Sequence, residues 1–105
     1  MRMKDMMIGW LRTWTGPNRV ERAFLGLAGE VGEIMECRKK YLRGDYDHNE
    51  YVRRLTKEIP DAQFYLDIIA YESGVDKEKA CKDKLDQLAA RAKSGTIMGD
   101  GSDRV

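Results

Sequence analysis

The stretch Arg19-Val20-Glu21-Arg22-Ala23-Phe24-Leu25-Gly26-Leu27-Ala28-Gly29-Glu30-Val31-Gly32-Glu33-Ile34-Met35 decides the fold. Its apolar positions Val20, Phe24, Leu27, Ala28, Val31, Ile34 and Met35 recur at i, i+4, i+7, i+8, i+11, i+14 and i+15. At about 100° per residue they form one stripe, which predicts a long amphipathic helix over roughly 19–42. Arg38, Lys39, Lys40 and Arg43 sit near its C-terminal end, where cations complement the helix dipole. Gly44-Asp45-Tyr46-Asp47 breaks it.

Working outward, a second stripe follows in Val52, Leu55, Ile59, Ala62, Leu66 and Ile69. It predicts a helix from His48 or Asn49 to a stop at Ser73-Gly74. From Phe64 onward the opposite face is apolar too, through Phe64, Ile68 and Tyr71. A helix apolar on two sides must be covered on two sides, and in so short a chain a second subunit is the expected cover. Asp76 is placed to cap a fourth helix carrying Cys81, Leu85, Leu88 and Ala92. Upstream, Met6, Met7, Trp10, Leu11 and Trp14 have helical spacing within residues 1–15, and Thr15-Gly16-Pro17-Asn18 reads as a turn. Periodicity stops at Ser94. The expectation is an all-α, four-helix-type bundle with a central antiparallel helix pair, oligomeric, spanning 1–93, with a flexible Gly-rich tail over 94–105.

Composition narrows the function classes. A chain of 105 residues has room for one domain and one core. With 19 Lys+Arg against 18 Asp+Glu the net charge is +1, which gives no electrostatic case for a nucleic-acid polymer or an acidic membrane as partner. No run approaches the roughly 18–20 apolar residues of a membrane span, and the N-terminus does not read as a signal peptide. Cys37 and Cys81 stand 44 positions apart with a single histidine, His48, so a structural zinc site lacks its about four N/S ligands. Both thiols are expected free, in the cytoplasm. The lone histidine also argues against a di-iron bundle, which uses a Glu-x-x-His on each of two helices.

The acidic residues carry the chemistry. Glu30 and Glu33 lie one turn apart beside the first stripe, and Glu58 and Asp61 repeat the arrangement beside the second. Antiparallel packing of those stripes would bring the two pairs face to face at the edge of a core. Like charges so placed need a raised pKa or a cation to persist. An all-oxygen cluster suits Mg²⁺, or Mn²⁺, and such ions hold substrate phosphates. Lys40 falls on the side of Glu33, two turns along, where it could meet an anionic substrate. Glu36 points further into solvent and reads as surface. Paired acids at this spacing also occur on many purely solvated helix faces.

The segment Gly26-Leu27-Ala28-Gly29-Glu30-Val31-Gly32-Glu33-Ile34, followed 24 residues later by Glu58-Ile59-Pro60-Asp61-Ala62-Gln63-Phe64-Tyr65-Leu66, resembles the MazG-like nucleotide pyrophosphohydrolases. These belong to the all-α NTP pyrophosphatase group, whose signature is E-E-x-x-E, a spacer, then E-x-x-D. The resemblance runs from about Leu25 to Arg91, and the portion around Lys84-Leu85 and Arg91 is similar to phage-type members. It implies Mg²⁺-dependent hydrolysis of (d)NTPs between the α and β phosphates, a housekeeping reaction on nucleotide pools; the two-sided apolar face of the third helix gives the expectation of a homodimer or homotetramer. It implies metal ligands at Glu30, Glu33, Glu58 and Asp61, with Glu33 or Glu30 as the base that takes the proton of the attacking water. It further places Lys40 and Lys84 on phosphates, Asp86 at a substrate-contacting position, and Trp14, with Trp10 and Phe64, as candidates for base stacking.

The pattern has departures. Gly29 stands at the first acidic position, Lys57 replaces an acid before Glu58, and Asp86 (or Lys84, with a two-residue shift) replaces an asparagine. Pro60 lies inside the third helix, where it removes a hydrogen bond and predicts a kink between Glu58 and Asp61. The alternative is a non-enzymatic helical module that binds nucleotide or a protein partner through a degenerate site. Gly26-x-x-Gly29-x-x-Gly32 has no preceding strand, so it reads as close helix packing and not as a dinucleotide loop. Gly99-Asp100-Gly101-Ser102-Asp103-Arg104 reads as a solvated tail.

Overall fold

The computed structural model describes residues 2–95, so the expected tail motif around Gly99 to Arg104 lies outside the described residues. The described residues form four helices and no strand: α1 (Met3–Thr13), α2 (Arg19–Arg43), α3 (His48–Ser73) and α4 (Lys77–Ser94). No described helix is long and apolar enough to cross a membrane. The chain divides into two compact units, Met1–Gly74 with α1 to α3 and Val75–Val105 with α4.

The helix limits follow from local chemistry. Arg43 ends α2 because Gly44 takes the left-handed conformation, with φ of 88°, that side chains disfavour. Asp47 begins α3 by accepting the backbone N–H of Glu50 at 2.9 Å. Gly74 stops α3 in the same left-handed way, with φ of 76°. In the second unit Asp76 caps α4 by accepting the N–H of Lys79 at 3.0 Å. Helix α4 extends through Ser94, the first residue of the expected tail. Helix α3 runs unbroken through Pro60.

Helices α2 and α3 form an antiparallel hairpin. As residue numbers fall along α2 they rise along α3: Tyr41 stacks on Tyr51 at 4.2 Å, Glu33 and Glu30 meet Glu58, and Gly26 meets Tyr65. Helix α1 and the turn after it lie against α3 through Trp10 on Phe64 and Trp14 on Phe64 and Tyr65, with ring centroids 5.4–5.6 Å apart. Arg19 ties that turn to the end of α3 by an ion pair with Glu72 and by donating to the carbonyls of Leu11 and Trp14. On the hairpin's other end, the Tyr46 hydroxyl donates to the carbonyl of Cys37 at 2.6 Å and lies 3.3 Å from its sulfur.

The face of α2 turned to α3 is not the expected stripe. Gly26, Glu30 and Tyr41 meet α3, and Ala23 and Cys37 on the same face are buried. That face is rotated roughly 90° from the centre of the apolar stripe, counting about 100° per residue. Phe24, Val31 and Met35 consequently stay 55%, 44% and 61% exposed. The cause is close approach: the small residues Ala23, Gly26 and Cys37 let α3 come near, and the bulkier Phe24 and Met35 do not. Of the three glycines read as packing residues, only Gly26 has a neighbour where a Cβ would stand; Gly29 and Gly32 face open space.

Candidate functional site

The rotation of α2 puts Glu30 into the helix interface and Glu33 at its rim, both opposite α3. Glu58 answers from α3, and ligand oxygens of Glu30, Glu33 and Glu58 lie within 4.8 Å of one another. Asp61 is not in this group, though its charge still reaches Glu33. So three of the four expected carboxylates converge, and the fourth stands one turn away on α3.

The three acids perturb each other. Glu58 raises the pKa of Glu33, first through the hydrogen bond of a shared proton and then by repulsion, with Asp61 adding to the effect and Lys57 opposing it. Glu58 is raised in turn, chiefly by a hydrogen bond with Glu30, while its hydrogen bond with Glu33 works the other way. The Oε2 atom of Glu30 is buried and has no hydrogen-bond partner among the described residues. A buried carboxylate oxygen without a donor costs free energy, and a cation is the natural remedy. Opposite ligands around Mg²⁺ stand about 4.2 Å apart, so modest side-chain movement would close this group on one ion. The all-oxygen donor set fits a hard divalent cation.

A cleft of about 200 Å³ opens beside the acids, lined by Glu33, Glu36, Cys37, Lys40, Arg54 and Glu58. Lys40 is therefore where the sequence placed it, on the wall that carries Glu33. Glu36 is solvent-exposed as expected, yet it belongs to that wall. Arg54 was missed, although its position four residues before Glu58 puts both on one face of α3.

The remaining candidates have partners of their own. Trp14 meets Phe64 and Tyr65 edge-on, carries the Arg22 guanidinium 4.7 Å from its ring centroid, and donates its indole N–H to the Arg19 carbonyl at 3.3 Å. It is built into the packing of α1 against the hairpin. Lys84 and Asp86 are exposed on α4, in the second unit, where Lys84 bonds Gln87 and Asp86 pairs with Lys82. His48 opens α3 at the surface, 3.3 Å from the Tyr41 hydroxyl. No protein-family profile, curated protein or solved structure matches this chain.

Proposed function

We propose that the protein is a Mg²⁺-dependent nucleoside triphosphate pyrophosphohydrolase that acts on cytoplasmic nucleotide pools. The observation that carries this reading is the convergence of Glu30, Glu33 and Glu58 from two helices beside a cleft that also holds Lys40. The resemblance of the two acidic segments to the MazG-like enzymes supports the same reading. Bound at the three carboxylates, Mg²⁺ (or Mn²⁺) would supply charge neutralisation of the triphosphate and polarisation of the reacting phosphoryl group.

The chain's own residues would do the rest. Glu33 lies at the rim of the interface, and Glu58 raises its pKa above the usual carboxylate value, which makes it a stronger proton acceptor for the attacking water. Glu30, inside the interface, is the other candidate. Water attacks the α-phosphorus, the bond to the β-phosphate oxygen breaks, and pyrophosphate leaves with the monophosphate behind. Lys40 offers its ammonium to the phosphates. The stripe of Phe24, Val31 and Met35, continued by Leu42, repeats at coiled-coil spacing and is exposed, so a second copy is the proposed cover, as a homodimer or a pair of dimers.

Pyrophosphate release from a panel of (d)NTPs with Mg²⁺ is the test. Activity that Glu33→Gln and Glu58→Gln abolish supports the enzyme; Asp61→Asn reports whether the fourth acid joins the site. The second reading, a helical binding module, is favoured by the position of Asp61 outside the three-acid group. Pyrophosphate that never appears with any nucleotide would decide for it.

A further inference from the structure

We infer that Arg54 and Lys40 form a diphosphate-binding end of the cleft, so that a bound triphosphate lies with its α-phosphate at the carboxylates and its β and γ phosphates toward the hairpin turn. This inference rests on the proposed reaction and gives its site a direction. Along α3, Arg54 precedes Glu58 by four residues; along α2, Lys40 follows Glu33 by seven. Because the helices are antiparallel, both cations fall on the turn side of the acids and line the same cleft.

Arg54 is prepared for an anion. Its Nε donates to Glu50 at 3.0 Å and its guanidinium stands 4.4 Å from the Tyr46 ring centroid, so the group is held from one edge and one face. Among the described residues, neither of its terminal nitrogens donates a hydrogen bond. A guanidinium with two free parallel donors matches two phosphate oxygens. Lys40 likewise makes no ion pair with a described residue. The cleft, at about 200 Å³, is smaller than the about 300–1,000 Å³ of sites that enclose drug-sized ligands. It has room for phosphate groups.

Charge sets a condition. Glu33, Glu36 and Glu58 outnumber the two cations on the lining, so an anion enters only after a divalent cation has offset the acids. Inorganic pyrophosphate should therefore bind the protein in Mg²⁺ and not in EDTA.

The experiment uses inorganic pyrophosphate and Mg²⁺ as probes. In the wild-type protein, pyrophosphate with Mg²⁺ should shift the Arg54 Nε–H resonance. In calorimetry, Arg54→Gln and, separately, Lys40→Met should weaken pyrophosphate about tenfold or more, with nucleoside monophosphate and Mg²⁺ affinities unchanged. An unmoved Arg54 resonance, or wild-type pyrophosphate affinity in a folded Arg54→Gln, overturns the inference. The outcomes separate from those of the reaction itself. Absent hydrolysis with a shifted Arg54 signal removes the enzyme and keeps this subsite; hydrolysis with an unmoved signal does the reverse.

Discussion

The ring of Tyr65 lies over the backbone of Gly26, so closely that a Cβ on Gly26 would stand 2.4 Å from Tyr65 Cζ. The ring has little freedom to yield, since Phe64 stacks on it at 5.2 Å and Trp14 meets it edge-on at 5.6 Å. Gly26→Ala should therefore destabilise the protein by about 1–3 kcal/mol, the range for overpacking. Gly29, three residues on in the same helix, has open space at its Cβ position. Gly29→Ala should stabilise by about 0.5–1 kcal/mol through helix propensity. Urea denaturation of the two variants checks the contrast; equal responses would contradict the packing.

Pro60 withholds an N–H from the Thr56 carbonyl within a helix that nonetheless continues for 13 more residues, to Ser73. Pro60 is exposed, so its ring contributes little packing. Pro60→Ala should raise stability by about 1–3 kcal/mol, seen as a higher denaturant midpoint at unchanged slope. A lower midpoint would mean that the proline positions α3 in a way alanine does not.

The acidic group makes stability depend on pH in a direction opposite to the usual carboxylate. Glu33 and Glu58 have raised pKa values in the folded state, so the folded protein holds protons that the unfolded chain releases. Their contribution is fully present below the unfolded value of about 4.5 and is lost as pH rises through the raised folded values. Glu50 acts the other way: Arg53 and then Arg54 hold its pKa down to about 2, and that stabilisation is lost as pH falls from 4.5 toward 2. In EDTA, the melting temperature should therefore fall from about pH 5 to pH 7.5. Mg²⁺ should reverse the loss at pH 7.5, and Glu58→Gln should flatten both responses.

Phe24, Val31, Met35 and Leu42 leave α2 with a seam of the kind that two copies can share. Sedimentation at micromolar concentration should give a multiple of the 12.1 kDa chain mass. Met35→Lys, which places a charge in the seam without touching the carboxylates, should shift the protein toward monomer. A monomeric wild-type chain would remove the second copy from the proposal.

The helix limits were legible because caps are local. Gly74 and Asp76, read as stop and cap, each act on backbone groups within one turn, and so does Asp47, which the sequence showed only as part of the break before α3. The face by which α2 meets α3 was not legible. A stripe from Val20 to Met35 says which side is apolar, while the hairpin is set by where α3 can come closest, at Ala23, Gly26 and Cys37. That rotation carries Glu30 inward and leaves Phe24 out. Three of the four acids still meet, because Glu30 lies between the apolar stripe and Glu33, and the rotation that carries it inward keeps Glu33 at the rim toward Glu58. Arg54 escaped notice because an arginine on a charged helix is unremarkable until Glu58 is known to face a cleft.

The hydroxyl of Tyr46 sits on Cys37, while Cys81 lies open on α4. The two thiols therefore differ in reach. A maleimide fluorophore should couple to Cys81 alone in the native protein and to both cysteines in urea. The wall of the cleft thus keeps its own sulfur out of the chemistry, and the chain carries a built-in attachment point for optical probes.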